Sequence, residues 1–257
     1  MNISLAGKKI LIIGGARGIG AQIVRDCASS GAAAVAWTYF SSSGEKATSE
    51  LANELASAGK EFLSFKVDST DEKATLELFN TLRQKWGRID GLVYNAGFTS
   101  PRDFCDISYE EWKRVVDINL NGAFLAVREG VQMMKDSGGG AIVLIGSAAI
   151  TSGGGGRADY VAAKAGLEGL NRAVTKYFAK DRIRCNIVHP SLIETDLLCQ
   201  RHPDPEKRKT LGEKEVPLGR LGQVEDISNA AIFLLSDQSG YITAQSILVD
   251  GGRSYCK

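Results

Sequence analysis

The sequence predicts an α/β fold, a doubly wound seven-stranded parallel sheet with helices on both faces. Three observations predict it. Seven short apolar runs rich in β-branched residues recur along the chain, stretches with helical apolar spacing separate them, and no linker, internal repeat or composition shift interrupts the alternation.

In order, the runs are Ile10–Ile13, Ala33–Thr38, Phe62–Val67, Gly91–Tyr94, Ala141–Ile145, Ile183–Val188 and Ser246–Val249. Each is too short for a helix and reads as a strand buried on both faces. After the first run, Ile19, Ile23, Val24 and Cys27 recur at helical intervals. Leu76, Phe79, Leu82 and Trp86 do so after the third, and Ile227, Ala231, Leu234 and Leu235 before the last. Ser69 with Glu72, and Ser108 with Glu111, have capping-box spacing and predict helix starts. Pro101, Pro190, Pro203, Pro205 and Pro217 fall in predicted loops. The polar segment from Glu194 to Gly219 breaks the alternation and predicts a long irregular insert, a substrate lid over residues 194–219 of one domain spanning 1–257.

Composition excludes several classes. A chain of 257 residues buries enough surface to fold without disulfides or metal. Lys plus Arg is 31 against 30 Asp plus Glu, which leaves no electrostatic footprint for nucleic acid or an acidic membrane. Five cysteines without a C-x-x-C pair suit a reducing compartment. His189 and His202 are the only histidines, so no His-rich metal site is expected. Residues Met1 to Lys9 lack the pattern of a secretory leader, and no apolar run approaches the ~20 residues of a membrane helix. The expectation is a cytoplasmic protein.

In open α/β sheets, ligands bind beyond the carboxyl ends of the strands. The first such place reads Gly14-Gly15-Ala16-Arg17-Gly18-Ile19-Gly20, a G-x-x-x-G-x-G frame between a strand and an amphipathic helix. Glycines let backbone approach a pyrophosphate, and the helix start supplies N–H donors, as in a Rossmann dinucleotide site. A P-loop would end in Lys-Ser/Thr, which is absent. Dinucleotide sites usually carry a carboxylate for the ribose 2′-OH about 20 residues on. Here stand Tyr39, Phe40, Ser41, Ser42 and Ser43. With no carboxylate to repel a 2′-phosphate, Arg17, Ser41 and Ser42 favour NADP(H) over NAD(H); alternatively, Arg17 is a solvated loop charge and the serines only cap the next helix.

Tyr160 and Lys164 are four apart, on one face of a helix, and Ser147 follows the strand Ala141–Ile145. The intervening chain, through Gly153–Gly156, is long enough to bring the helix beside the serine. Exchanging a proton with an alcohol or a nascent alkoxide needs an acid–base group. Tyrosine titrates too high for that task at neutral pH, and a nearby ammonium is expected to lower it. Ser147 is placed to polarise a substrate oxygen.

With these residues in view, the chain from Lys8 to Gly252 resembles the short-chain dehydrogenase/reductase family in its compact form. Gly14, Gly18 and Gly20 match its cofactor loop, and Asn95-Ala96-Gly97 its motif after the fourth strand. Asn119, Ser147, Tyr160 and Lys164 match its catalytic tetrad; Ile193-Glu194-Thr195 matches its stretch beside the nicotinamide, which Pro190 precedes. Pro217-Leu218-Gly219-Arg220 and Val249-Asp250-Gly251-Gly252 match C-terminal signatures. The resemblance implies an NAD(P)-dependent oxidoreductase interconverting a secondary alcohol and a ketone, and a homotetramer. Overall similarity is nearest to 3-oxoacyl-thioester reductases, with a sugar, polyol or steroid-type dehydrogenase as the alternative. A non-catalytic NADP sensor is a third reading, although such proteins typically lose the Tyr or Lys. The resemblance also implies that Asn119 kinks a helix and sustains a proton relay, that Lys164 holds the nicotinamide ribose, and that Asp68 lies near the adenine. Asp68 reads equally as a capping residue and Asn119 as a satisfied core amide. Two positions depart from the family pattern. Ile13 replaces a Thr whose hydroxyl braces the loop, and Ser191 replaces a Gly, which predicts a tighter backbone. His189 is a lesser candidate for touching substrate or cofactor, and Arg102, Arg157 and the lid cations for holding an anion. Cys27 and Cys185 read as core, whereas Cys105 and Cys199 are expected to flank the site.

Overall fold

Alternation of apolar side chains along each strand requires cover on both sheet faces, and the computed structural model, which describes residues 3–56, 59–154 and 157–256, provides it. The chain runs β1 (Lys9–Ile13), α1 (Gly18–Ser29), β2 (Ala34–Tyr39), α2 (Ser42–Leu55), β3 (Glu61–Lys66), α3 (Glu72–Trp86) and β4 (Gly91–Tyr94). Next come α4 (Tyr109–Val116), a π-helical turn (Asp117–Asn121), α5 (Gly122–Asp136), β5 (Gly140–Ile145), α6 (Ala149–Ser152) and α7 (Ala158–Phe178). It closes with β6 (Ile183–Pro190), α8 (Asp196–Arg201), α9 (Pro205–Glu215), α10 (Val224–Leu235) and β7 (Ser246–Val249). The seven strands are parallel in the order β3-β2-β1-β4-β5-β6-β7. Strand order reverses between β1 and β4, which opens a crevice at the carboxyl edge.

The period of two divides the core into layers. Ile10, Ile12, Val35, Trp37 and Val143 pack with Ile23, Val24, Ile227 and Leu234 beneath α1 and α10. Leu11, Ile13, Leu92, Ile142 and Leu144 pack with Phe79, Leu82, Ala126 and Leu167 beneath α3, α5 and α7. Each layer fixes one set of helices against the sheet, and thereby the loops that carry the site.

Four expectations are corrected. β3 and β7 are not buried on both faces: as edge strands they leave Glu61, Ser64, Lys66 and Ser246 exposed. Ser69 does not cap α3; Asp71 does, accepting from the Lys73 and Ala74 N–H groups at 2.9 and 3.1 Å. The Ser108/Glu111 capping box is formed as expected. Pro190 and Pro205 are not in loops: Pro190 ends β6 and Pro205 opens α9, where its missing N–H has no intrahelical partner to lose. The segment 194–219 is not irregular, since α8 and α9 occupy most of it. Its two ends are clamped together by Glu194 N–H donating to Gly222 O (2.8 Å) and Gly222 N–H donating to Leu192 O (2.9 Å). Gly155 and Gly156, in the connection to α7, lie outside the described residues. Among the described residues no helix is long and apolar enough to cross a membrane.

Candidate active site

A cleft of about 1200 Å³ opens along the carboxyl edge. It gathers Gly14, Arg17, Gly18 and Ile19 after β1, Tyr39 and Ser41 after β2, and Asp68 after β3. Asn95, Ala96 and Gly97 follow β4, Ser147 follows β5, Tyr160 and Lys164 come from α7, and Pro190, Ile193 and Thr195 from the exit of β6. Three expected residues, Gly20, Ser42 and Asn119, do not line it.

The glycine turn is shaped for close approach. Gly14 and Gly18 have left-handed φ of 79° and 52°. A Cβ at Gly20 would strike Gly14 O and the Asn95 amide, so Gly20 acts from behind the cleft wall. Asn95 Nδ2 donates to Gly14 O (2.7 Å), and Gly14 N–H donates to the Thr38 hydroxyl (3.0 Å). The brace expected to be lost with Ile13 is therefore supplied from β2 by Thr38. α1 begins without a side-chain cap and without an acidic first-turn residue, leaving its N–H donors and positive dipole end for an anion. These features fit the pyrophosphate of a dinucleotide.

At the β2 end, the Ser41 hydroxyl accepts from Gly44 N–H (3.1 Å) and caps α2, while Ser42 begins that helix and does not reach the cleft. The exposed Arg17 has no ion pair among the described residues. Asp68 lines the cleft and accepts from the Thr70 N–H (2.9 Å) and hydroxyl (2.8 Å), shaping the turn into α3, but it does not cap that helix, since Asp71 does.

The other end holds the titratable groups. Lys164 is 2% exposed, and its Nζ donates to Ile145 O at 2.8 Å. It lies 5.7 Å from the Tyr160 ring centroid. Burial lowers the Lys164 pKa to about 7. The Tyr160 phenol is raised above its ordinary range, because burial outweighs the lowering by the Ser147 hydroxyl and by the charges of Arg157 and Arg201. The expected lowering of the phenol by Lys164 is thus not found in the protein alone: burial penalises both the phenolate and the ammonium meant to stabilise it.

Asn119 sits in the π-helical turn, fully buried. Its Nδ2 donates to Phe98 O (2.7 Å) and Val115 O (2.8 Å), and its Oδ1 accepts from Phe98 N–H (3.4 Å). It is a satisfied core amide at an irregularity in the helix. A Cβ at Gly97 would lie 3.0 Å from Asn119 Oδ1 and 3.5 Å from Lys164 Nζ, so the bare glycine lets these two groups approach.

His189 is not a cleft residue. It is 1% exposed behind Ser147, with Nδ1 accepting from Ser147 N–H (3.0 Å) and Nε2 bonded to Glu168 Oε1 (2.9 Å). That Glu168 oxygen also accepts from the Ser246 hydroxyl (2.6 Å). Glu168 was missed although Tyr160, Lys164 and Glu168 recur every four residues on one helix face. Thr38 was missed as well; a hydroxyl within an apolar strand run was its signal. Ser191 has no left-handed φ, so replacing glycine introduces no such strain there. Arg102 pairs with Glu111 on the surface, and neither Cys105 nor Cys199 lines the cleft.

Residues 14–254 match a family profile described as enoyl-(acyl carrier protein) reductase. An L-rhamnose 1-dehydrogenase (NAD(P)(+)) of Azotobacter vinelandii is 36% identical over 96% of this chain and 97% of its own. The 3-oxoacyl-(acyl-carrier-protein) reductase FabG of Chlamydia pneumoniae is 33% identical over 99% of this chain and 100% of its own. A crystal structure of a putative gluconate dehydrogenase from Agrobacterium tumefaciens superposes with a TM-score of 0.92 at 29% identity, covering both chains completely. The chain belongs to the short-chain dehydrogenase/reductase family. It is an oxidoreductase of alcohol and ketone groups, in a family that uses NAD(P).

The buried ammonium has a thermodynamic signature. The folded-state pKa of Lys164, about 7, lies below the 10.5 of an unperturbed lysine, so the unfolded chain binds the proton more tightly. The resulting destabilisation is fully present below pH 7 and fades as pH rises toward 10.5, and it amounts to a few kcal/mol. Lys164→Met is expected to raise the thermal midpoint, and by more at pH 6 than at pH 10, in calorimetric scans.

Proposed function

We propose that this chain interconverts a secondary alcohol and a ketone with NADP(H) preferred over NAD(H). The observation that carries the reading is that Ser147, Tyr160 and Lys164 meet at one cleft, with the Lys164 Nζ 5.7 Å from the Tyr160 ring. A bound nicotinamide supplies the hydride donor or acceptor. Tyr160 exchanges the proton at the substrate oxygen, and Ser147 donates a hydrogen bond to that oxygen as charge develops on it. Lys164 holds the ribose hydroxyls and tunes Tyr160. Asn119 keeps the helix turn beside Lys164 in place and sustains proton exchange with solvent. Gly14, Arg17, Gly18, Ile19, Asn95, Ala96 and Gly97 hold the dinucleotide with Asp68, Pro190, Ile193 and Thr195, while α8 and α9 form the substrate lid.

The NADP(H) preference rests on Arg17 and on the absence of a carboxylate at Tyr39, Phe40 and Ser41. A 3-oxoacyl thioester and a sugar or polyol both remain in view as substrates, since relatives named for each are about equally similar. The free cysteines suit a reducing cytoplasm, and the family resemblance supports a homotetramer.

Tyr160→Phe is expected to lower kcat by roughly 10²–10⁴-fold while cofactor affinity, read by NADPH fluorescence, stays within about twofold. Turnover near that of the wild type would remove the assigned acid–base group. Arg17→Ala is expected to raise the KM for NADPH several-fold more than the KM for NADH in the same absorbance assay. Equal shifts would detach Arg17 from the 2′-phosphate.

A further inference from the structure

We infer that the substrate carries a fixed oxyanion, a carboxylate or a phosphate, held by Arg157 and Arg201 at the tyrosine end of the cleft. The inference rests on the proposed reaction and narrows its substrate class.

Both arginines line the cleft, although they come from different elements. Arg157 is the residue at which α7 begins, three before Tyr160, and Arg201 ends α8 in the segment over the site. Neither makes an ion pair among the described residues. Elsewhere in the chain, buried or half-buried arginines are matched: Arg128 with Glu72 and Glu129, Arg208 with Glu194, Arg253 with Glu215, and Arg184 with two backbone carbonyls. Arg157 and Arg253 each bury an Nε that has no hydrogen-bond partner among the described residues, but Arg253 still pairs with Glu215, whereas Arg157 makes no ion pair there. A buried N–H without an acceptor is costly, and a charged one more so.

The two guanidiniums also act on each other. Arg201 is lowered from its ordinary pKa first by burial and then by the charge of Arg157. Two desolvated like charges therefore face a cavity, with no carboxylate among the described residues paired to either. An oxyanion seated in the cleft accepts from the guanidinium forks and neutralises the repulsion between them. The same two charges bear on the Tyr160 phenol, so an anion seated there lies within electrostatic reach of the acid–base group. That places the oxyanion close to the carbon being oxidised or reduced. Arg17 lies apart from this pair, at the start of α1 after β1.

The test uses the NADP(H)-loaded enzyme and two kinds of readout. Calorimetry compares levulinate, a keto acid, with 5-hydroxypentan-2-one, its neutral counterpart, and hydroxyacetone phosphate with hydroxyacetone. Each anion is expected to bind at least tenfold more tightly than its neutral partner, and whichever of the two anions gains more identifies the oxyanion. Arg157→Gln and Arg201→Gln should each reduce that ratio severalfold. Initial rates on the same pairs should show the ratio in kcat/KM, carried mainly by KM. Equal binding of charged and neutral partners, or a ratio that neither substitution moves, overturns the inference. So does a loss of cofactor affinity in either variant with selectivity unchanged, since the arginines would then serve the dinucleotide. Anion binding that depends on both arginines, with no ketone reduced, would uphold the site and overturn the reaction.

Discussion

The site depends on one ammonium kept out of water. Lys164 is 2% exposed and donates to a single carbonyl, Ile145 O, at the end of β5. Two elements make that position possible. α7 packs through Leu167 and Val174 on the layer formed by Ile142, Leu144, Ile183 and Ile187, which fixes the helix against β5 and β6. Gly97 then leaves room between Lys164 and the Asn119 amide, where a Cβ would stand 3.5 and 3.0 Å from the two groups. Burial of a cation destabilises the fold, and the apolar layers on both sheet faces offset it. In return, the protein holds a lysine whose proton is exchangeable near neutrality and a tyrosine whose proton is held tightly unless a further positive charge enters the cleft.

The serine is fixed from the opposite side. His189 accepts the Ser147 N–H, and Glu168 orients the imidazole from the same helix that carries Tyr160 and Lys164. One face of α7 thus reaches the phenol, the ammonium and, through His189, the backbone of the serine. The cleft carries an exposed Arg17 at the start of α1, and Arg157 and Arg201 near Tyr160.

Much of this was legible in the sequence because it is local. Short apolar runs located all seven strands, period-3.6 spacing located α1, α3 and α10, and the four-residue step from Tyr160 to Lys164 placed both on one face. The Ser108 capping box is equally local. What escaped depends on the order of strands. Thr38 braces Gly14 only because β2 lies beside β1, and His189 meets Ser147 only because β6 lies beside β5. No spacing in the chain encodes those distances. The exposed face of β3 follows from its place at the sheet edge, which an apolar run does not reveal. The expected lowering of the Tyr160 pKa failed for another reason: sequence shows which charges are near but not how much water they have lost.

The most direct test of this account is titration of the Tyr160 phenol by ultraviolet difference spectroscopy, with Tyr160→Phe subtracted to isolate its signal. The account predicts ionisation above the ordinary tyrosine range in the protein alone, and a downward shift when oxidised cofactor is bound. A phenol that already ionises near neutral pH in the protein alone, with no change on adding cofactor, would contradict it.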